Sequence, residues 1–369
     1  MMRCWVLTYE YNPFIIGGLG IVATHLTRSL ARDGLDVTVI SRSGKPHIQT
    51  NRKKHLNIVR FPATSKYYSV KDRTFCSHSI DDWLAKNSYE KPQILHIHSV
   101  HFAKTARYLK LKFNAPVVYT CHSLVRMEKL SKARSLVARQ QEELLSFADA
   151  VVVPSLWLKS KTKELYPHLK DKLHVIENGV HVKRERCSGP RHHLLNVGRL
   201  VRSKGIEKLL GAVAILSKKH PKLKLDVVGT GSSAYRKHLR LLARTYQITE
   251  RIRWLGFKTP KQVQQLYSSY GVVVVPSPNE SFGLVALEAL ANNIPLVSTR
   301  SGGLAEFVNS SVAEIIHRVS PEEIAQAIEN MWKQEELTNR RVAEGRKMAL
   351  QYSWPNIAAR YHSLFTSIL

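Results

Sequence analysis

Gly271–Gly303 reads GVVVVPSPNESFGLVALEALANNIPLVSTRSGG, and the order of its segments decides the fold class. The valines between Gly271 and Pro276 form a β-branched apolar run long enough for a buried strand and too short for a buried helix. Pro276-Ser277-Pro278-Asn279 is turn chemistry. From about Ser281, Leu284, Leu287 and Ala291 recur at helical spacing with Val285 and Ala289 beside them, which predicts a helix. A second strand over 294–298, with Pro295 at its start, then returns the chain to the sheet.

Glu280 stands just before the expected helix and Glu288 inside it. If the intervening residues are helical at ~1.5 Å rise, the carboxylates lie up to roughly 12 Å apart along the axis. That is too far for a short-range acid/base pair and suits two contacts on one elongated ligand, of which a sugar nucleotide is an example. Small residues at the expected helix start, Ser281 and Gly283, offer backbone N–H groups to a phosphate or a developing oxyanion.

The string Glu280-Ser281-Phe282-Gly283-Leu284-Val285 through Glu288 resembles the E-x7-E signature of retaining, nucleotide-sugar-dependent glycosyltransferases. These are the glycogen synthase and sucrose synthase-like enzymes of glycosyltransferase family 4. The resemblance implies an α/β chain of GT-B fold: two Rossmann-like domains facing each other across a cleft, with a C-terminal helix crossing back to the N-terminal domain. It implies a hexosyltransferase in which residues 280–285 and Glu288 bind the donor, Glu288 on the ribose hydroxyls and Glu280 on the sugar.

Length and composition are compatible with that expectation. A chain of 369 residues with 44% apolar and 23% charged residues reads as a globular enzyme of two domains. No apolar run reaches the roughly eighteen residues of a membrane helix, and Met1 to Thr8 reads as a strand rather than a signal peptide. Cys4, Cys76, Cys121 and Cys187 are scattered without paired spacing, which argues for a reducing cytoplasm and against a zinc site or disulfide framework.

Charge is the anomaly. Against 56 Lys and Arg stand 28 Asp and Glu, a net +28 that implies attraction to a polyanion: anionic lipid, acidic polysaccharide or nucleic acid. Between Asp36 and Asp81 the only acid is Asp72, against Arg42, Lys45, Arg52, Lys53, Lys54, Arg60, Lys66, Lys71 and Arg73, with Phe61, Tyr67 and Tyr68 interleaved.

Along the N-terminal half, Arg3 to Thr8 reads as a strand, and a helical period through Val22, Leu26 and Leu30 follows Gly17-Gly18-Leu19-Gly20. Glycines at such a turn let backbone approach an anion, although the full G-x-G-x-x-G spacing is absent. Gly17 and Gly18 match the family's Gly-Gly loop, whose amides meet the donor's distal phosphate and the acceptor. A strand over 36–40 follows the helix, and on a later strand over 94–99 His96 and His98 share one face by two-residue periodicity, with no acidic or cysteine partner nearby to favour a metal. The strand Val117–Thr120 delivers His122 to the sheet edge where ligands bind in open α/β sheets. It resembles the family's T-x-H segment, whose histidine reaches the donor sugar.

The segment Ile176-Glu177-Asn178-Gly179-Val180 resembles the family's inter-domain stretch, with the linker over 181–190. The expected domains are 1–183 plus 353–369, which binds acceptor, and 184–352, which binds donor. In the second, Arg199 ends a strand and Lys204 lies five residues on, so both cations can converge over the sheet edge and neutralise a diphosphate. The spacing V-G-R-x5-G matches the family's diphosphate site. Ser353-Trp354-Pro355 is expected to break the chain before a last helix over 357–369.

These readings combine into one expected enzyme. Cations, the helix start and the Gly17-Gly18 amides stabilise the departing diphosphate, with His122 and Glu280 as the catalytic pair gripping the sugar. No Asp-x-Asp motif occurs, so no metal and no cofactor beyond the nucleotide-sugar co-substrate, UDP-sugar favoured, is expected. Retention and same-face attack, with the leaving phosphate taking the acceptor proton, are implied by the resemblance alone. The expected partners are a glycan, lipid-linked or small-molecule acceptor and an anionic membrane surface on which the protein sits peripherally, with nucleic acid not among them. A sugar-nucleotide epimerase of similar fold and a non-enzymatic polyanion binder remain as alternatives.

Overall fold

The computed structural model describes residues 1–127, 132–183 and 189–369, without the side chains of 132–134. The chain forms two compact units, Met1–Gly179 with Trp354–Leu369, and Val180–Ser353. Part of the linker expected over 181–190, and Cys187 within it, lie outside the described residues. Leu124 to Leu145, basic and then acidic in sequence, reads as a helical stretch, and part of it also lies outside the described residues.

Unit 1 follows the order β1 (Arg3–Thr8), α1 (Gly18–Arg32), β2 (Asp36–Ser43), β3 (Gln49–Lys53), β4 (Leu56–Pro62), β5 (Tyr68–Ser69), β6 (Thr74–Phe75), α2 (Ser77–Lys86), β7 (Ile94–Ile97) and α3 (Ala103–Phe113). It continues through β8 (Val117–Thr120), α4 (Lys132–Phe147), β9 (Ala150–Val153), α5 (Leu156–Leu165) and β10 (Leu173–Val175). Its sheet runs β10-β9-β8-β7-β1-β2-β4-β3, with β3 antiparallel at the edge and the other pairings parallel. Strand order reverses at β1/β7, the switch point where an open α/β sheet leaves a crevice at the strands' C-terminal ends.

Unit 2 contains β11 (His193–Val197), α6 (Ile206–Ser217), β12 (Lys224–Val228), α7 (Ser233–Thr245), β13 (Ile252–Gly256), α8 (Pro260–Leu266), β14 (Val272–Val275) and α9 (Leu284–Ala291). It closes with β15 (Leu296–Thr299), β16 (Glu314–Ile316), α10 (Pro321–Lys333) and α11 (Glu335–Gln351). Its parallel sheet runs β13-β12-β11-β14-β15-β16, with the reversal at β11/β14. The four valines of β14 are at most 4% exposed, as strands covered on both faces require. At roughly 1.5–3 kcal/mol for each fully buried aliphatic side chain, this strand anchors the loop that follows it.

The last helix, α12 (Trp354–Ile368), belongs to unit 1. It begins three residues before the expected start at 357, and Pro355 sits in its first turn, where a missing N–H costs nothing because no intrahelical acceptor faces it. Trp354 stacks on His25 of α1 at 5.5 Å. Tyr361 Oη lies 3.0 Å from Thr120 Oγ1.

The basic stretch after Asp36 contains two strands and a hairpin ribbon that periodicity did not reveal. Phe61, Tyr67 and Tyr68 are at most 8% exposed and sit in the core. The interleaved aromatics therefore form no exposed stacking surface beside the cations.

Candidate active site

In unit 2, the loop after β14 is held from behind by the end of β15. Thr299 Oγ1 and Ser301 Oγ both donate to the Ser277 carbonyl, at 2.7 and 2.6 Å, and the Gly303 N–H donates to the Glu280 carbonyl at 2.9 Å. A Cβ on Gly302 would lie 2.2 Å from the Glu280 carbonyl oxygen, and one on Gly303 would lie 2.4 Å from that of Ser281. Only a glycine pair lets this backbone pass so closely, with Gly302 also at φ +62°. The Gly302-Gly303 pair thus fixes where Glu280 points.

The helix expected from about Ser281 starts at Leu284. Gly283, at φ +104°, is its N-cap, and a left-handed residue cannot lie inside a right-handed helix. Ser281 and Gly283 therefore belong to the turn rather than to a helix start. The Phe282 side chain is 3% exposed and packs with Phe307 at 5.2 Å, so any role toward a ligand falls to its backbone. Leu284 and Val285 are half-buried against the same core.

Lys204 comes from the loop after β11, where Gly205 at φ +69° passes so close to Pro276 that a Cβ would sit 2.1 Å from its carbonyl oxygen. This contact docks the two loops, and Lys204 Nζ donates to Glu280 Oε1 at 2.6 Å. Their side chains are only 22% and 15% exposed. The cation and the carboxylate, assigned to diphosphate and sugar from the sequence, are thus paired with each other over one edge of the sheet. Arg199 is exposed, and its guanidinium makes no ion pair among the described residues.

Glu288 lies on α9, which is apolar nearly all round and buried. It is 8% exposed and accepts from the Tyr267 hydroxyl at 2.8 Å. Burial raises its carboxyl to about 7, against the opposing pull of hydrogen bonds from Tyr267 and Gln264. Tyr267, fully buried, is a partner the sequence reading missed. A tyrosine 21 residues upstream carries no sequence mark tying it to Glu288.

In unit 1, Glu10 follows β1, and its Oε2 accepts from the Ile16 and Gly17 N–H groups at 2.8 and 2.9 Å. Gly20 makes room for it, since a Cβ there would meet Glu10 Cβ at 2.8 Å. The Gly17 amide thus already holds an anion of the protein's own. Gly18 opens α1.

His122 follows β8, with its Nε2 3.0 Å from His98 Nδ1. The His96 ring lies tilted beside that of His98, 4.2 Å between centres, and its Nε2 meets Thr120 Oγ1 at 2.8 Å. Burial lowers His122 to about 4 and His96 to about 3. His122 is therefore a neutral hydrogen-bonding imidazole at pH 7, able to hold a sugar hydroxyl but unable to supply a positive charge. Among the described residues, no three His, Cys, Asp or Glu side chains form a metal-binding group, and no helix is long and apolar enough to cross a membrane.

Family models describing "Glycosyltransferase Family 4" and "Glycosyl transferases group 1" match residues 16–184 and 182–348. The chain is 29% identical to an uncharacterised glycosyltransferase of Methanocaldococcus jannaschii, over 97% of this chain and 96% of that one. It is 27% identical to the D-inositol 3-phosphate glycosyltransferase of Corynebacterium diphtheriae, over 95% and 89%. Its fold matches that of Anabaena HepE, solved with UDP-glucose, at a TM-score of 0.80 over the whole of both chains and 18% identity. Two parallel sheets with Rossmann-type strand order, together with family matches that run through both units, make this chain a glycosyltransferase of the GT-B, family 4 type.

Proposed function

We propose that this enzyme transfers a hexosyl group from a nucleoside-diphosphate sugar to an acceptor hydroxyl with retention at the anomeric carbon. The observation that carries the reading is the meeting of Lys204 and Glu280 at the C-terminal edge of one sheet. A half-buried ammonium and carboxylate held by a docked loop pair can exchange partners for a ligand carrying both phosphate and hydroxyls. Lys204 then turns to the diphosphate as a point charge, Arg199 adds a fork from the exposed side, and Glu280 accepts from the sugar hydroxyls. Glu288 takes the ribose hydroxyls, with Tyr267 holding its second lobe.

In the transfer, the bond from the anomeric carbon to the diphosphate oxygen breaks as the bond to the acceptor oxygen forms. The acceptor's proton passes to the leaving phosphate oxygen, so no protein base is consumed. The cations take up the charge that develops on the diphosphate, the role a divalent ion would otherwise fill. UDP-sugar is the favoured donor, supported by the UDP-glucose in the similarly folded HepE. The acceptor is a glycan, a lipid-linked hydroxyl or a small polyol. The relative named for D-inositol 3-phosphate supports the last class.

A thermal-shift panel of UDP-, GDP- and ADP-sugars identifies the donor. Release of nucleoside diphosphate with each acceptor, and the anomeric configuration of the product by NMR, then test transfer and retention. Donor consumption without diphosphate release would point to epimerisation and overturn the reading. So would a protein that no sugar nucleotide stabilises.

A further inference from the structure

The chain carries many unpaired cations, and nearly all can be solvated. Arg60 cannot. It lies on β4 with 9% exposure, its Nη2 donates to the Asn12 carbonyl at 2.6 Å, and its Nε is buried without a partner among the described residues. The guanidinium lies 5.9 Å from the centre of the Tyr11 ring. Tyr11 Oη is 2.9 Å from Thr27 Oγ1 on α1. Arg28, also on α1 and half-buried, reaches the same phenol and places a second positive charge against Arg60. No Asp or Glu among the described residues pairs with either arginine.

A third polar group faces the same space. Ser41 on β2 is the register partner of Arg60, so the two side chains leave the sheet on one face, on strands ~4.8 Å apart. Ser41 is 0% exposed and its hydroxyl has no partner among the described residues. An orphaned buried donor is destabilising, and an uncompensated buried cation more so. Two like charges, an orphaned guanidinium N–H and an orphaned hydroxyl together lack only a negative group.

We propose that Arg60, Arg28 and Ser41 form the receptor for a phosphate carried by the acceptor. Two guanidinium forks and a hydroxyl direct donors along more than one plane, which suits the oxygens of a tetrahedral phosphate better than a flat carboxylate. Arg60 is tied through Asn12 to the loop that leads into Gly17 and α1, the loop implied to meet the acceptor. The cations already assigned to the diphosphate, Arg199 and Lys204, belong to the other unit. That the phosphate is carried by an acceptor rests on the glycosyltransferase reading, whereas that a phosphate binds here rests on Arg60, Arg28 and Ser41.

The test has two arms. In the first, inorganic phosphate is titrated against chloride of equal ionic strength, with unfolding temperature as readout, for wild type, R60Q, R28Q and S41A. Wild type is expected to gain stability specifically with phosphate, R60Q to lose the gain, and R28Q and S41A to need about tenfold more phosphate. Equal gains in all four proteins would reveal a general effect of the +28 charge and overturn the site. R28Q alters a half-buried residue, so the arm holds even if R60Q does not fold.

In the second arm, wild type is offered acceptors in pairs, myo-inositol with its monophosphate and glucose with glucose 6-phosphate, alongside dioctanoyl phosphatidylinositol. At least tenfold higher kcat/KM for the phosphorylated members is expected, lost in R28Q through KM. Activity confined to the phosphatidylinositol assigns the phosphate to a lipid headgroup, and activity with sugar phosphates assigns it to a soluble acceptor. Equal use of neutral and phosphorylated acceptors would overturn the inference while leaving glycosyl transfer standing. A donor that yields nucleoside diphosphate with no acceptor of any kind would instead sink the functional reading, while the phosphate titration still decides the site.

Discussion

Replacing Glu288 with glutamine tests the most heavily perturbed carboxylate of the site. Burial lifts this group from 4.5 to about 7, and at about 1.36 kcal/mol per unit that shift corresponds to roughly 3 kcal/mol. Between those two values the unfolded chain has released a proton that the folded chain keeps. Stability therefore falls as pH rises through the window and levels off above it. Glutamine keeps the shape and the Tyr267 hydrogen bond but never ionises. The difference between E288Q and wild type should be under about 1 kcal/mol at pH 5 and about 2–3 kcal/mol in favour of the variant at pH 8.5, or roughly 5–10 °C in unfolding temperature for a unit of this size.

The histidines pull the other way. Burial depresses His96, His98 and His122, so below about pH 6.5 the unfolded chain takes up protons that the folded chain refuses, and stability is lost as pH falls toward 4. That contribution is common to both proteins and cancels in the difference, which is why calorimetry of the pair is the assay. E288Q should at the same time raise KM for the nucleotide sugar. A stability difference that is identical at pH 5 and pH 8.5 would refute the view that Glu288 is held neutral by burial.

Three further outcomes are expected. Lys204→Ala should lower kcat/KM for the sugar nucleotide by roughly 10²–10³-fold, as loss of one pre-organised charge donor does; steady-state kinetics retaining a tenth of wild-type activity would remove Lys204 from the diphosphate site. Tyr361→Phe should cost about 1 kcal/mol by breaking the contact with Thr120, and a urea midpoint equal to wild type would show that this bond does not secure α12. Net charge of +28 should bring the protein down with anionic vesicles at low salt and release it at high salt, so sedimentation unaffected by vesicles would end the case for a membrane surface.

Where local chemistry suffices, the sequence alone determined the outcome. Gly271–Gly303 announces strand, turn, helix and strand because β-branched runs, prolines and helical spacing act over a few residues. The E-x7-E string and the V-G-R-x5-G spacing marked the candidate donor residues through their resemblance to the family's motifs. Only the tertiary structure decided which of these groups touch. The Lys204–Glu280 pair joins stretches 76 residues apart, and the Glu288–Tyr267 bond joins 21. Sheet pairing likewise sets Ser41 beside Arg60, an arginine of the basic run that is buried with no acidic partner among the described residues. Charge in a sequence is a count; whether it is solvated, paired or stranded depends on desolvation, and desolvation is set by neighbours that folding brings from elsewhere in the chain.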